Sequence, residues 1–491
     1  MKDIDVASGS KRRDDLKERV RMFNNNWSDI LDRELKKQFH EKTYPKVKLM
    51  LDTSMNIFRR IIREICTVYR EPASRTIAGI APERQADLDT LYQKLRIDQT
   101  MQVAHRYAKA ATMSFLVVRR VPGEERLVIR VLTPDQVIVE VNPEDPTLIE
   151  LFAYASEMQV DKKLRMIWTA YTKDERWFCG ENGKVLKDSE LDKVFGLDAA
   201  NEIREGEFVN VYETIPVVAF PAEFQVRDFW NENWNRDAYE SNKLIGLLNT
   251  YENYLVKTQS FKQIVISADK VSETLKDSIL DPLFPMIAGA DAQVTTLDLN
   301  TQLAAIDQVI RGKVAGIANN YGISQENFAL TTQAQSGFSL KIANQSLQDI
   351  RSADIPLCAA VERALYRVLA KVAEVEDIAS FDPDAELTFN PGEVAWPEEW
   401  STEQSRWEFE FKNGIASPVD YLITRDPQLS REEAIEKITE RQNEMRQLKP
   451  RVSPWETLLN TSTMPTQGIG PNPAASPLSA LASKVQGEAQ A

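Results

Sequence analysis

The hydrophobic period of this chain changes twice, and that change limits the folds open to it. From residue 11 to 71 the apolar residues recur at helical spacing. Leu16, Val20, Phe23, Trp27, Ile30 and Leu31 form one stripe, and Leu49, Met50, Ile57, Phe58, Ile61, Ile62 and Ile65 a second. Tyr69-Arg70-Glu71-Pro72 should close that helical region, because a residue before proline is pushed out of the helical conformation. A third helix is predicted from about Asp87 to Ala111. Between Ser114 and Phe220 the pattern becomes short β-branched and aromatic runs, SFLVVRRV, RLVIRVL, QVIVEV, LIELFAYA, RMIWTAYT and RWFCG, with Ile215-Pro-Val-Val-Ala-Phe220 as the last. Turn chemistry at 122 to 125, 133 to 136, 142 to 146 and 181 to 184 separates several of them, which predicts an antiparallel sheet beside helices and hence an α+β chain, mainly helical.

Helical spacing then returns. A helix from about Arg236 to Ser260 carries Leu244, Leu247, Leu248, Tyr251, Tyr254 and Leu255 on one face; another, from about Gln302 to Asn320, carries Leu303, Ile306, Ile310, Val314 and Ile317. After a polar loop at 323 to 340, a long helix is predicted from about Ser339 to Val375, with a kink or break near Asp354 and Ile355 caused by Pro356. A strand at Ala385 to Phe389 and helices at about 400 to 415 and 428 to 447 follow. From Pro450 onward, Pro, Ser, Ala and Gly with few charges predict a disordered tail. No internal repeat is evident, and 491 residues suggest about three domains.

Composition narrows the function. The 60 Lys and Arg stand against 74 Asp and Glu, for a formal charge of -14, opposite in sign to a protein that grips phosphates. Cys66, Cys179 and Cys358 are far apart and have no CxxC spacing, so neither a disulfide framework nor a zinc site is indicated, and a reducing cytoplasm fits. The start lacks an apolar signal-peptide core and no run approaches the length of a membrane span, so neither secretion nor a bilayer is expected.

Signatures of catalysis are missing from the sequence, and no enzyme activity and no cofactor are expected. There is no GxxxxGK[ST] run to cradle phosphates and no GxSxG elbow. The two histidines, His40 and His105, fall in predicted helices without HExxH spacing and read as surface or partly buried imidazoles. Cys66 reads as a core residue. The pairs Asp87/Asp89 and Asp382/Asp384 suit either a divalent cation, as in a metal-dependent nuclease, or a solvated face or helix cap. Zinc-finger, basic-zipper and RNP-like patterns are absent too, and Lys11-Arg-Arg13 reads as a solvated helix start.

In this order of segments the chain resembles the portal proteins of tailed double-stranded DNA bacteriophages over roughly residues 15 to 447. The local matches are Tyr69-Arg-Glu-Pro72, Leu132-Thr-Pro-Asp-Gln136, Ile215-Pro-Val-Val218, Ser336-Gly-Phe-Ser-Leu-Lys341, Gly414-Ile-Ala-Ser417 and Ser430-Arg-Glu-Glu-Ala-Ile-Glu436. The resemblance implies a head-to-tail connector ring of identical subunits, commonly twelve, at the portal vertex of a virion assembled in the bacterial cytoplasm. Its partners would be the terminase large subunit, a head-to-tail connector or adaptor, the major capsid and scaffolding proteins, and duplex DNA passing non-specifically. It further implies an N-terminal helical and β-rich wing over 1 to 225, a stem helix at 226 to 260, a clip at 261 to 300 and a second stem helix at 301 to 322. A tunnel loop at 323 to 340, a long wing helix and return strand at 341 to 394, a crown at 395 to 449 and the tail at 450 to 491 complete the plan. The alternatives are a structural ring or scaffold protein that does not handle DNA and, ranked below it, a metal-dependent nuclease.

Two segments carry the candidate site residues under that resemblance. In the loop, Glu326 is the one charge, among Gln325, Asn327, Thr331, Thr332, Gln333, Gln335 and Ser336; Gly337 would give backbone freedom and Phe338 a bulky contact. Neutral polar groups would touch DNA by replaceable hydrogen bonds without counterion release; a plain solvent-exposed connection fits the same composition. In the clip, Asp269, Glu273, Asp277, Asp281 and Asp291, with Leu283 and Phe284, would dock the packaging motor and later the connector through apolar contacts with an acidic rim. A small subdomain core is the other account of those apolar residues.

Overall fold

The computed structural model describes residues 2–121, 124–160, 163–195, 200, 208–224, 228–259, 263–267, 293–297, 303–323, 337–392, 400–425 and 429–448. The chain divides into two compact units, Met1–Glu399 and Trp400–Ala491. The tail beyond 450 lies outside the described residues.

The first unit opens with four helices, α1 (Ser10–Phe23), α2 (Ser28–Gln38), α3 (Tyr44–Lys48) and α4 (Ile57–Ile65). The expected apolar stripes are largely buried, with two corrections. Arg19, not Val20, is fully buried on α1, and Leu49 is 76% exposed. The helical region also stops at Ile65, short of Tyr69-Arg-Glu-Pro72, with Cys66 leaving helical geometry. Strand β1 (Ser74–Ile77) follows, then α5 (Pro82–Leu95) and α6 (Ile97–Ala111). The single helix expected from 87 to 111 is therefore two, divided at Arg96, whose left-handed φ of 50° ends one and begins the other.

The β block matches the sequence runs closely. Strands β2 (Met113–Arg120), β3 (Leu127–Leu132) and β8 (Val217–Pro221) form an antiparallel sheet in the order β3-β2-β8. Strands β4 (Val137–Val141), β5 (Ile149–Val160), β6 (Lys163–Tyr171) and β7 (Arg176–Cys179) form a second antiparallel sheet in sequence order. At the corner, Thr133 and Gln136 cap one another around a single 3-10 turn, the capping box that Leu132-Thr-Pro-Asp-Gln136 encodes. Helix α7 (Asp188–Phe195), absent from the sequence reading, packs Leu191 against Phe178 and Ile167.

The three-stranded sheet is covered on both sides, which is why β2 is a continuous apolar run. Leu116, Val118, Leu127 and Ile129 face α6 and a long helix, whereas Phe115, Val117 and Leu132 face Phe152, Tyr154 and Tyr171 of the second sheet. That long helix, α10 (Gly337–Val375), follows α8 (Arg236–Gln259) and α9 (Leu303–Asn320). Short strands β9 (Gln263–Ser267) and β10 (Gln293–Leu297) pair antiparallel between α8 and α9, and β11 (Leu387–Asn390) pairs with β1.

Pro356 does not break α10, which is one helix of 39 residues. The missing donor and the ring clash cost about 3 kcal/mol in isolation. Cys358, Val361, Leu365, Leu369 and Val372, buried in the largest core just beyond it, offset that cost.

The second unit holds α11 (Trp400–Lys412), α12 (Pro418–Arg425) and α13 (Arg431–Leu448), three helices where two were expected. Gly414, at φ 67°, lies in the turn between the first two, and Trp407 packs edge-on against Tyr421 at 5.0 Å between ring centroids.

Candidate channel segment

Helix α8 begins from a turn that is fastened on two sides. Asn235 adopts a left-handed φ of 53°, which asparagine tolerates. Its side-chain amide donates to the carbonyls of Lys109 and Ala110 at the end of α6, and Trp234 Nε1 donates to Lys109 O at 3.1 Å. From α1, Arg19 Nη1 donates to Trp234 O at 2.8 Å and Nη2 to Glu232 O at 2.8 Å. Further along α8, Asn242 Oδ1 accepts from the backbone N–H groups of Ile57 at 2.7 Å and Phe58 at 3.2 Å, capping α4 from a different segment. One turn on, a Cβ at Gly246 would come within 2.7 Å of the Trp27 ring, so glycine permits the close approach of α8 to the N-terminal helices.

Helices α8 and α9 share a core through Ile245, Leu247, Ile310 and Ile317. The face of α8 is not the all-apolar one expected: Leu244 is 39% exposed, and Asn242, Asn249 and Thr250 are buried. The two helices meet end to end at the far side from β9 and β10. Tyr321 Oη donates to Asp237 Oδ1 at 2.7 Å, joining the end of α9 to the first turn of α8. Burial first, then this carboxylate, push the Tyr321 phenol well above its ordinary value.

The end of α9 is a Schellman turn. Ile323 N–H reaches back to Ala318 O at 3.0 Å and Gly322 N–H to Asn319 O at 3.0 Å, with Gly322 at φ 63°. Ile323 and Ala318 bury their side chains in the same core. A Cβ on Gly322 would lie 3.0 Å from Ser346 Cβ of α10, so the exit of α9 is pressed against the long helix about 14 Å along from its start at Gly337. An open crevice of about 640 Å³ lies here, lined by Lys109, Trp234, Asp237, Tyr321, Gly322 and Ser346 among others.

Two buried ionic contacts hold α10 from neighbouring elements. Lys109 Nζ donates to Asp354 Oδ1 at 2.8 Å and to Ala222 O at 2.7 Å, over the Trp234 ring. Arg75 of β1 forms a bidentate pair with Glu362, through Nε to Oε2 at 2.9 Å and Nη2 to Oε1 at 2.7 Å, and reaches Asp98 with Nη1 at 2.7 Å. Asp354, Cys358 and Glu362 follow one another at four-residue spacing, so they share a face of α10. Burial works to raise the Asp354 carboxyl, but His105 and Lys109 outweigh it and hold it below the usual value. His105 Nε2 stands 3.5 Å from Asp354 Oδ2 without a hydrogen bond, and its ring stacks on Phe220 at 5.5 Å. Burial depresses the imidazole, with Asp354 opposing.

The sequence-predicted site residues fare unevenly. Gln325, Asn327, Thr331, Thr332, Gln333, Gln335 and Ser336 lie outside the described residues, as do Asp269, Glu273, Asp277, Asp281, Leu283, Phe284 and Asp291. Gly337 and Phe338 belong to the first turn of α10 and not to a loop, because an established helix extends into any neighbouring residues that do not break it.

Other expectations need correction. His40 is exposed outside any helix, and His105 is fully buried. Arg13, read as solvated, is buried and donates to the carbonyls of Ser8 and Val6. Of the aspartate pairs, Asp89 accepts from Gln85 one turn earlier on α5 and Asp382 from the Asp384 N–H in a turn, local contacts both. Among the described residues no group of three or more His, Cys, Asp or Glu is placed to hold a metal ion.

The sequence reading missed Arg19, Arg75, Lys109, Asn235, Asn242, Asp354 and Glu362. The four-residue spacing of Asp354 and Glu362 around Cys358 was the available signal for the last pair.

No protein-family model and no curated protein matches the chain. Among solved structures, it is similar to a chain in the virion of a native gene transfer agent particle, at 10% identity and a TM-score of 0.42, covering 77% of this chain and 92% of that one. A chain in the neck of an empty gene transfer agent particle, computed with C6 symmetry, has the same coverage and TM-score at 11% identity.

Proposed function

We propose that this chain is the structural subunit of a portal ring, through which DNA enters and leaves a phage capsid. The observation that carries the reading is the path of the chain from Arg236 to Val375. Helix α8 runs out to a β pair and α9 returns; Tyr321 and Asp237 tie the ends together, and Gly322 releases the chain toward residues 324 to 336 and the long α10. Packed helix pairs repeated around a rotation axis close their contacts without free edges.

In this reading α8 and α9 form the stem, 261 to 300 the clip, and 324 to 336 the tunnel loop. An acidic chain with a nearly neutral loop would guide DNA without holding it, since each phosphate contact by Lys or Arg adds a salt-dependent grip. Force on the DNA would come from a partner, the terminase large subunit docked at the clip, which a connector later replaces. The capsid and scaffolding proteins would meet the outer surface of a ring of about twelve copies.

Electron microscopy of the purified full-length chain, with light scattering for mass, tests the proposal. Rings with a central hole wider than the roughly 20 Å duplex are expected. A compact monomer under every assembly condition overturns it, and closed rings that support capsid assembly but not DNA entry would favour a ring that does not handle DNA.

A further inference from the structure

An open groove of about 840 Å³ runs between the turn after β4, with Pro143 and Pro146, and the run from Asp228 to Asn233 that leads into α8. The first wall is fixed from within. Asn142 Oδ1 accepts from the Glu144 and Asp145 N–H groups at 2.8 and 3.1 Å, and Asp145 Oδ1 accepts from Thr147 Oγ1 at 2.6 Å. The proline rings at either end of this turn stiffen it further. The second wall is fixed from behind. Arg19 donates to the Glu232 and Trp234 carbonyls, and Phe229 and Trp230 meet edge-on at 4.9 Å and both pack against Phe115.

The chemistry left open between these walls is acidic and amide. Asp228 and Glu232 line the groove, Glu144 stands exposed in the turn between the prolines, and no Lys, Arg or His is among the described lining residues. Arg12, 4.2 Å over the Trp230 ring, answers Glu232. Asp228 and Glu144 form no ion pair with any described residue, and the side-chain amides of Asn231 and Asn233 and the Trp230 indole N–H form no hydrogen bond with one. An extended peptide uses all of these groups: its backbone pairs with amides and an indole N–H, its apolar or proline side chains lie on aromatic rings, and its cations meet carboxylates. Walls that are already rigid lower the cost of ordering the contact. The same carboxylates repel nucleic acid.

We propose that this groove docks an extended basic segment of a partner protein. Lys or Arg side chains of that segment meet Asp228, Glu144 and Glu232, its backbone meets Asn231 and Asn233, and an apolar or proline side chain lies against Trp230. The site is separate from the channel segment and does not depend on that reading.

Fluorescence anisotropy tests the proposal, with the full chain titrated at low salt into two short labelled peptides, one alternating arginine with leucine and proline, the other with glutamate in place of arginine. The arginine peptide should bind saturably with a Kd on the order of 10–100 µM, and the glutamate peptide should not bind. Asp228→Asn with Glu232→Gln, both exposed, should weaken binding about three- to tenfold. Asn233→Ala should weaken it about threefold, an effect that mere attraction to an acidic surface lacks. Glu71→Gln with Glu83→Gln, the same change of charge outside the groove lining, should alter the Kd by less than about twofold. No saturable binding, binding of both peptides alike, or equal losses in the two charge pairs with none in Asn233→Ala overturns the proposal. So does an oligomer of the parent that Asp228→Asn with Glu232→Gln dissociates while the arginine peptide fails to bind, which gives the groove to a second copy of this chain.

Discussion

Tyr321 Oη donates to Asp237 Oδ1 across 2.7 Å, tying the last turn of α9 to the first turn of α8. Tyr321→Phe keeps the ring and removes only this bond. A loss of about 1 kcal/mol is expected from chemical denaturation, the usual net worth of one hydrogen bond. Hydrogen exchange should quicken at the C-terminal amides of α9 and not in β2 or β6.

Gly322 carries a second constraint in the same turn. Its φ of 63° disfavours any residue with a Cβ by about 1–2 kcal/mol, and the added carbon would press on Ser346 at 3.0 Å. Gly322→Ala should therefore destabilise by more than the backbone term alone. Gly316, on the same helix with open space around its Cβ position and no left-handed φ, is the control: Gly316→Ala should stabilise by about 0.5–1 kcal/mol.

Asp354 is the one described carboxylate that pairs with the buried Lys109. Removing it in Asp354→Ala strands that ammonium, and a loss of about 3–5 kcal/mol in unfolding free energy is expected. Replacing both partners with apolar residues, as in Lys109→Met with Asp354→Leu, should cost far less. Equal losses in the single and double variants would show that the pair does not act as a unit.

Acid should weaken the fold in two stages. The His105 imidazole is depressed below its ordinary value of 6.5, so the unfolded chain takes a proton that the folded chain refuses. Its contribution is complete above pH 6.5 and falls as pH drops below that value. Asp354, also depressed, adds stability that is present above its ordinary 3.8 and lost further into acid. His105→Gln should flatten the pH dependence of the denaturation midpoint between pH 5 and 7 and leave the lower stage in place.

What the sequence disclosed follows from how local each signal is. The strands were legible because FLVV and VIRVL carry β-branched residues that suit a pleat, and Thr133 to Gln136 spell out their own cap. The division at Arg96 was hidden, since nothing in Leu95-Arg96-Ile97 forbids a continuous helix; packing of Leu95 and Ile97 into one core imposes the left-handed residue. A break at Pro356 was expected for the opposite reason, proline being a local breaker that the core beyond it overrules. Arg19, Lys109 and Glu362 look like ordinary surface charges in sequence, because Trp234, Asp354 and Arg75, which they respectively meet, lie more than two hundred residues away. The proposed channel residues were read from polarity together with the resemblance in segment order, and the structure bears on them only through the ends at Gly322 and Gly337.

Deleting residues 329 to 335 separates guiding from assembly. The segment between Ile323 and Gly337 begins where the Schellman turn closes and ends where α10 starts, and neither terminus depends on its interior for a described hydrogen bond. The six residues left between them, 324 to 328 and 336, reach about 20 Å when extended, enough for the roughly 14 Å between Gly322's contact on α10 and the start of that helix. The variant should therefore fold with an unchanged denaturation midpoint and form the same rings as the parent by electron microscopy. Packaging or retention of DNA should fall, because the neutral polar groups that would ride along the duplex are gone. If soluble rings are lost together with the segment, it serves the architecture and not the passage of DNA.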